Sequence, residues 1–538
     1  MFPVSPLLYH NVVDWLFVPQ AISRRVGLGR RIPWAVILLA IVATGYVRIR
    51  LLQTPLERDE GEYAYTGQLI LDGIPPYQLA RSMKLPGTCA AYAVIMRVFG
   101  QTVGAIHFGL MLINAAAALL LFLLGRRLFG APTGLAACAA FVVMSVGQGV
   151  LGTQAHATHF VVLPALGGTL LLLRATDTGR SGPIMGSGGL FGLAFLAKQH
   201  GAFFGIFGAL WLVWIYRRHV WRKLALFGAA AALPFGVTCL ILLRAGTFRQ
   251  FWFWTFSYAQ RYVQQGSMGD ATAGLLHQVA SQFRDNPGIC LLALIGMLLV
   301  WHRKKSNGEA AFVTAGLLLS SLAATAPGFY FRDHYFVLVL PAVALLAGAT
   351  VASGRTALAW LFAGGLALSF VCQKELMFRM TPFQVSRKLY AQRPFPEAVR
   401  IGAYIKDHTA EDARVLVLGS EPEIYFYAHR HSATGYIYMY PLTESQPYAL
   451  TMQDEMIREV EAQRPEYVVF VHVRSSWLTD LEGAVPVLSW WKQHRASNYS
   501  LVGIVDMISE DRTEYRWDAA AMGYWNRSCA YLQVYRRR

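Results

Sequence analysis

Four carboxylates fall within ten residues in the stretch Leu56-Glu57-Arg58-Asp59-Glu60-Gly61-Glu62-Tyr63-Ala64-Tyr65, directly after the first long apolar run. Carboxylates at a membrane boundary are costly to desolvate, so their presence there points to a task. A carboxylate near neutral pH can take a proton from an attacking hydroxyl or amine as general base. Asp59 and Glu60 are the candidate catalytic acids. Glu57 and Glu62 read as solvated loop acids.

Isolated cations answer this cluster. Lys84 precedes the turn Leu85-Pro86-Gly87, Lys198 ends the apolar block Leu193-Ala194-Phe195-Leu196-Ala197, and Arg332 stands in a third segment beside His334. A lone lysine in an apolar block either snorkels or binds an anion. Several cations converging from separate loops would suit a phosphate or pyrophosphate. His156 and His159 are spaced i, i+3, which lets both face one ligand on a helix. With Asp59 they could hold a divalent metal such as Mg or Mn, imidazole and carboxylate being usual ligands. The bland alternative for His156 and His159 is that both are plain polar residues, and His200 and His334 are further candidates for substrate or metal contact.

The elements that must position these residues follow from composition. The 538 residues are 55% hydrophobic and only 15% charged, against about 25% charged in soluble domains. Many apolar runs reach the ~18–20 residues that cross a bilayer core. The chain therefore reads as a polytopic α-helical membrane protein. The formal charge of +17 is explained by basic cytoplasmic loops without any nucleic-acid partner. The six cysteines show no metal spacing, and Cys372 and Cys529 could pair outside the membrane.

Spans are predicted at 33–52, 103–124, 132–150, 158–173, 185–200, 203–216, 224–243, 288–301, 310–327, 335–352 and 357–373. Basic residues mark every second loop, from Arg24 and Arg25 through Arg126-Arg127 and Arg217-Arg218 to Arg303-Lys304-Lys305. That alternation gives about eleven transmembrane helices with the N-terminus cytoplasmic. The opposite loops then face out and hold the unusual polar residues. In loop 53–102 the segments from Glu62 to Leu71 and from Ala90 to Phe99 read as helices lying on the surface. Phe251-Trp252-Phe253-Trp254 with Tyr258 reads as an aromatic belt anchoring loop 244–287 in the interface.

Residues 1–373 thus form a transmembrane domain and 374–538 a second, extracytoplasmic one. The latter carries a predicted helix from Phe395 to Asp407 and strand-like runs at 414–418, 467–471, 501–505 and 531–535. Helical patterns from Pro422 to His429 and from Gln453 to Ala462 lie between the first two runs, which predicts a small α/β domain.

In this order, four motifs resemble the GT-C superfamily of membrane glycosyltransferases, in the branch of the protein O-mannosyltransferases and the lipid A aminoarabinose transferase. They are Asp59-Glu60-x-x-Tyr63-Ala64, Lys84-Leu85-Pro86, Gly192-Leu193-Ala194-Phe195-Leu196-Ala197-Lys198, and His334-Tyr335-Phe336-Val337-Leu338-Val339-Leu340-Pro341. The likeness spans roughly residues 33–350. It implies transfer of one sugar from a polyprenyl-phosphate donor to an acceptor on the outer face of a bacterial inner membrane. Asp59 would then be the catalytic base or acceptor-orienting acid. Lys84 would hold the lipid phosphate, helped by Lys198, Arg332 and Tyr335, with the polyprenyl tail in a groove between spans. The relatives often place an acid after the third span, where this chain has His156 and His159. A secondary transporter or flippase, a polymerase or ligase of lipid-linked glycans, and a membrane scaffold are the competing readings.

Overall fold

A helix stands at each of the eleven apolar segments in the computed structural model of the chain, which describes residues 28–263, 268–302, 304, 307–478 and 485–538. Arg24, Arg25, Arg303 and Lys305, used above to orient the loops, lie outside the described residues. Among the described residues five helical stretches are long and apolar enough to cross a membrane. A sixth is added if Ala271–Asp285 and Pro287–His302, bent by 108°, form one span. The predicted segments 203–216 and 224–243 fall in one 46-residue run, Gln199–Arg244, broken by a tight turn at Arg217–His219. Others, such as Ala131–Met144 with 14 residues, are about 21 Å long against a core of about 30 Å. The protein is a multi-pass membrane protein.

Small residues set how closely these helices approach. Val103–Phe129 and Ala131–Met144 form a hairpin turning at Gly130, whose φ of 100° suits only glycine. A Cβ on Gly125 would stand 2.8 Å from the Gly134 Cα, and Ala136, Ala137, Ala139 and Ala140 are fully buried. Without water to drive association, close backbone packing of this kind is what holds such helices together.

Two helices follow the first span. Arg58–Leu71 opens on a reciprocal capping box, Glu57 accepting from the Glu60 N–H and Glu60 from the Glu57 N–H. Gly87–Phe99 packs beside it. The first does not lie on the surface with a solvated face: Glu60, Gly61, Glu62, Tyr63 and their successors to Leu69 are buried. The helix is covered by the C-terminal part of the chain, which supplies the hydrogen-bonding partners that water would otherwise provide.

That part forms a six-stranded mixed sheet in the order β2-β1-β3-β6-β4-β5. Its strands are β1 (Arg414–Leu418), β2 (His431–Ser432), β3 (Tyr467–His472), β4 (Tyr499–Met507), β5 (Thr513–Trp517) and β6 (Tyr531–Arg537). The four strand-like runs of the sequence are β1, β3, β4 and β6. Strands β2, two residues long, and β5, a polar edge strand, carry too little apolar signal to stand out. The helix Phe395–Asp407 lies where predicted. All six cysteines are free, with Cys372 and Cys529 exposed and unpaired.

The aromatic segment is not an interfacial belt. A π-helical turn, Phe253–Tyr258, rotates Trp254 and Tyr258 inward, where both are buried. Trp254 packs against Tyr436 of the C-terminal part, and Tyr258 donates to Glu444 at 2.9 Å. Trp252 alone of the four consecutive aromatics is largely exposed.

Candidate active site

The elements converge on a cavity of about 1250 Å³ between the membrane helices and the C-terminal sheet domain. Asp59, on the first turn of Arg58–Leu71, enters it from one side, and a helix N-terminus favours an anion there. Lys84 reaches the same point from the segment ahead of Gly87–Phe99. Its ammonium donates to Asp59 Oδ1 at 2.8 Å and to Glu62 Oε2 at 2.6 Å, over the face of Tyr63. Burial would push the Asp59 carboxyl up, but the Lys84 ammonium foremost, with Lys198 behind it, holds it well below the usual carboxylate range. Burial likewise opposes the Lys84 charge, which Asp59 and Glu62 nevertheless hold well above the usual lysine range.

Lys198 comes from the segment packed beside that of Lys84, at the break between Ser181–Ala197 and the next helix, where Thr88 donates to the Ala197 carbonyl at 2.9 Å and Gln199 to the Met83 carbonyl at 3.0 Å. Its ammonium sits 4.2 Å from the Tyr335 ring centroid. Among the described residues no hydrogen-bond or ion-pair partner engages it. Burial, with the Lys84 and Arg332 charges, lowers its pKa to about 7, the Asp59 charge opposing the shift. Arg332 donates to Tyr262 at 2.7 Å and lines the same cavity. Three cations thus face one space that holds few free acids to answer them.

The histidines divide. His156 and His334 stack at 4.2 Å with an 11° interplanar angle on the cavity wall beside Asp59, and both His156 nitrogens lack a hydrogen-bond partner. Burial, chiefly, lowers the His156 pKa to about 4, keeping the ring neutral. His200 packs on Tyr335 at 4.7 Å, also on the wall. His159 is elsewhere, bonded to Asn114 at 3.1 Å inside the bundle. His156 is the extended residue before the helix Ala157–Thr178, so helical i, i+3 spacing does not apply to the pair. The third member of the candidate metal set is therefore His334: ligand atoms of Asp59, His156 and His334 lie within 4.8 Å of one another. Two neutral imidazoles and a carboxylate suit a divalent ion, and the unpartnered His156 nitrogens fit that use. The two ring planes are nearly parallel, so one ring must turn for a single ion to lie in the plane of both.

Glu60 also leaves the cavity. It is fully buried, with Oε1 accepting from the Ala155 N–H at 2.6 Å and lying 2.9 Å from His107 Nε2. It fastens the acid-bearing helix to the loop that carries His156. Glu57 and Glu62 are buried rather than solvated. Burial, then the Asp59 and Glu60 charges, raises Glu57 to about 8, so it is protonated at neutral pH. Its Oε1 lies 3.6 Å from His156 Nδ1. Sequence reasoning missed the whole contribution of the C-terminal domain, including Tyr438, Tyr440 and Glu444 on the wall. Nothing in their local spacing marks them.

Compared with solved structures, the chain is similar to ArnT from Cupriavidus metallidurans bound to undecaprenyl phosphate, with a TM-score of 0.62 and 14% identity over 93% of this chain and 97% of that one. The fold is that of the GT-C glycosyltransferases. The apo form of the same ArnT gives a TM-score of 0.58 at 14% identity, covering 93% and 98%. The Archaeoglobus fulgidus oligosaccharyltransferase in complex with Zn and sulfate shares the GT-C fold at 0.54 and 12%, covering 89% of this chain and 72% of that one. Residues 85–242 match the family described as dolichyl-phosphate-mannose-protein mannosyltransferase. No curated protein matches the chain by sequence.

Proposed function

We propose that this protein transfers a monosaccharide from a polyprenyl-phosphate donor to an acceptor at the extracytoplasmic face of a bacterial inner membrane. The observation that carries the reading is Lys198, a half-buried cation facing the catalytic cavity with no carboxylate among the described residues bonded to it. It faces the cavity ready for an anion that the described residues do not supply.

The donor's shape fits the surroundings. A second cavity of about 670 Å³, almost wholly apolar, opens between the helices next to Gly87, Leu196 and Ala197. Lys84 and Lys198 are therefore separated from it by only one to three residues of chain. A phosphate among Lys84, Lys198 and Arg332 leaves its prenyl tail in that groove and its sugar in the large cavity. The division of residues 1–373 and 374–538 into membrane core and outer domain follows the same sidedness.

In the reaction the sugar C1–O bond to phosphate breaks as the acceptor oxygen or nitrogen bonds to C1. Polyprenyl phosphate leaves with the bond's electron pair, and the acceptor proton passes to Asp59. Lys198, Arg332 and Lys84 stabilise the charge developing on the departing phosphate, which fixed cations do without reorganisation. As phosphate draws Lys84 away, Asp59 regains its lone pairs and its basicity. A divalent ion on Asp59, His156 and His334 would supply further polarisation of the donor or acceptor; Mg or Mn is the expected class. ArnT was solved with undecaprenyl phosphate and the archaeal enzyme with Zn, and both bear on this chain as analogies of fold.

The test is incubation of the purified protein with a panel of polyprenyl-phosphate sugars and a membrane extract as acceptor source. Release of polyprenyl phosphate together with labelled acceptor is the expected result. Tight donor binding with transport into vesicles and no cleavage would replace the reading with a flippase.

A further inference from the structure

The helix that carries Asp59 is held by residues of the C-terminal domain, and the grip is closest at the residue before the acid. Arg58, 8% exposed, sends its guanidinium into that domain. Its Nη2 donates to Glu421 Oε1 at 2.9 Å, its Nε to the Ser420 carbonyl and its Nη1 to the Tyr440 hydroxyl. Glu421 is fully buried, and its other oxygen accepts from the Ser476 hydroxyl. Ser420 is bonded twice to Ser476 in turn, at 2.8 and 2.7 Å. The Tyr440 hydroxyl in turn donates to the Ser475 carbonyl at 2.6 Å. From the same domain Tyr438 donates to the Arg58 carbonyl at 3.1 Å.

This is more than an adhesive contact. Both the guanidinium and the backbone carbonyl of Arg58 are fixed, so the peptide leading into Asp59 has no freedom to rotate. Two residues past Asp59, Gly61 lies against the Glu423 backbone so closely that an added Cβ would stand 2.6 Å from it. Tyr438 and Tyr440 meanwhile line the catalytic cavity, so the parts that clamp the helix also wall the site.

We propose that Glu421 is a positioning residue for Asp59, acting through Arg58, so that the C-terminal domain and the membrane core form one active site. The proposal rests on Asp59 being the catalytic acid of the transferase described above. Glu421 touches no substrate; it sets where the Asp59 carboxylate stands relative to the acceptor.

The test compares full-length wild type, Glu421→Gln and the double variant Arg58→Met/Glu421→Met. Replacing both partners of a buried ion pair by apolar side chains spares stability, whereas removing one does not. The double variant therefore separates folding from positioning. The expected result is a melting temperature near wild type for the double variant, with kcat lowered about 100-fold in both variants, the cost of an ~1 Å misplacement. Donor KM should stay within about threefold in both, since Lys198 and Arg332 lie outside the clamp. A double variant with wild-type kcat would overturn the proposal and leave the pair as interface packing.

Hydrogen exchange of residues 57–63 is measured on the same proteins and does not need turnover. Faster exchange confined to that segment in the double variant supports the proposal, and unchanged exchange there overturns it. If the wild type itself transfers no sugar from any donor, the transferase reading fails. The exchange result still decides whether Glu421 fixes the Asp59 segment.

Discussion

Lys84 Nζ lies 2.8 Å from Asp59 Oδ1 and 2.6 Å from Glu62 Oε2, so the candidate catalytic acid is neutralised by the cation that would also meet the donor phosphate. Glu62 is buried and keeps Lys84 in place whichever way the second bond points. Replacing Glu62 by Gln leaves the half-buried Lys84 ammonium with one carboxylate where it had two. Glu62 is itself fully enclosed, and a charge-assisted bond of this kind contributes about 1.5–3 kcal/mol. Thermal unfolding in detergent should therefore fall clearly for Glu62→Gln.

If Lys198 meets the donor phosphate as proposed, donor binding has a pH dependence of definite sign. Free Lys198 has its pKa depressed to about 7, and a bound phosphate raises it, so binding takes up a proton. Donor affinity is then full below about pH 7 and weakens above it by up to about tenfold per pH unit. Lys198→Arg keeps its charge and should flatten this profile at high affinity, while Lys198→Met should raise donor KM most below about pH 7 and flatten the profile at low affinity. A pH series of donor KM on the three proteins checks both.

Glu60 and Asp59 should separate cleanly. Asp59→Asn keeps the fold, because its side chain borders the cavity. Glu60→Gln loses the buried ion pair to His107, 2.9 Å away, and should lower the melting temperature as well as activity. Circular dichroism melts beside turnover assays distinguish the two.

Gly61→Ala places a methyl group against the Glu423 backbone. Overpacking a tight contact typically costs about 1–3 kcal/mol, and here it must also part the helix from the C-terminal domain. Limited proteolysis between the two parts should accelerate in this variant.

For a metal, the geometry predicts that His334→Ala removes binding while His159→Ala does not. Elemental analysis after incubation with Mn and gel filtration reads this out.

Much of this arrangement is visible in the residues themselves. Apolar runs place the helices, and Asp59, Lys84, Lys198 and Arg332 stand out because isolated charges beside apolar blocks demand a partner. What local pattern could not show is which partner each side chain finds. Glu62 looks like a loop acid until the C-terminal domain covers it, and His159 looks paired with His156 until the helix is seen to begin between them. Trp254 and Tyr258 have the composition of an interfacial belt, and a single π-turn sends them inward instead. Tyr440 and Glu421 reach the site from some 360–380 residues away in sequence, a distance over which periodicity carries no information.

The most direct test of the account is release of polyprenyl phosphate by wild type and Asp59→Asn at equal concentrations of folded protein. The account predicts that the wild type releases it with an accepted donor and that the variant loses about 100-fold or more of the rate, the scale of a general base. Unchanged release by Asp59→Asn would contradict it, because the carboxylate paired with Lys84 would then not be the catalytic centre.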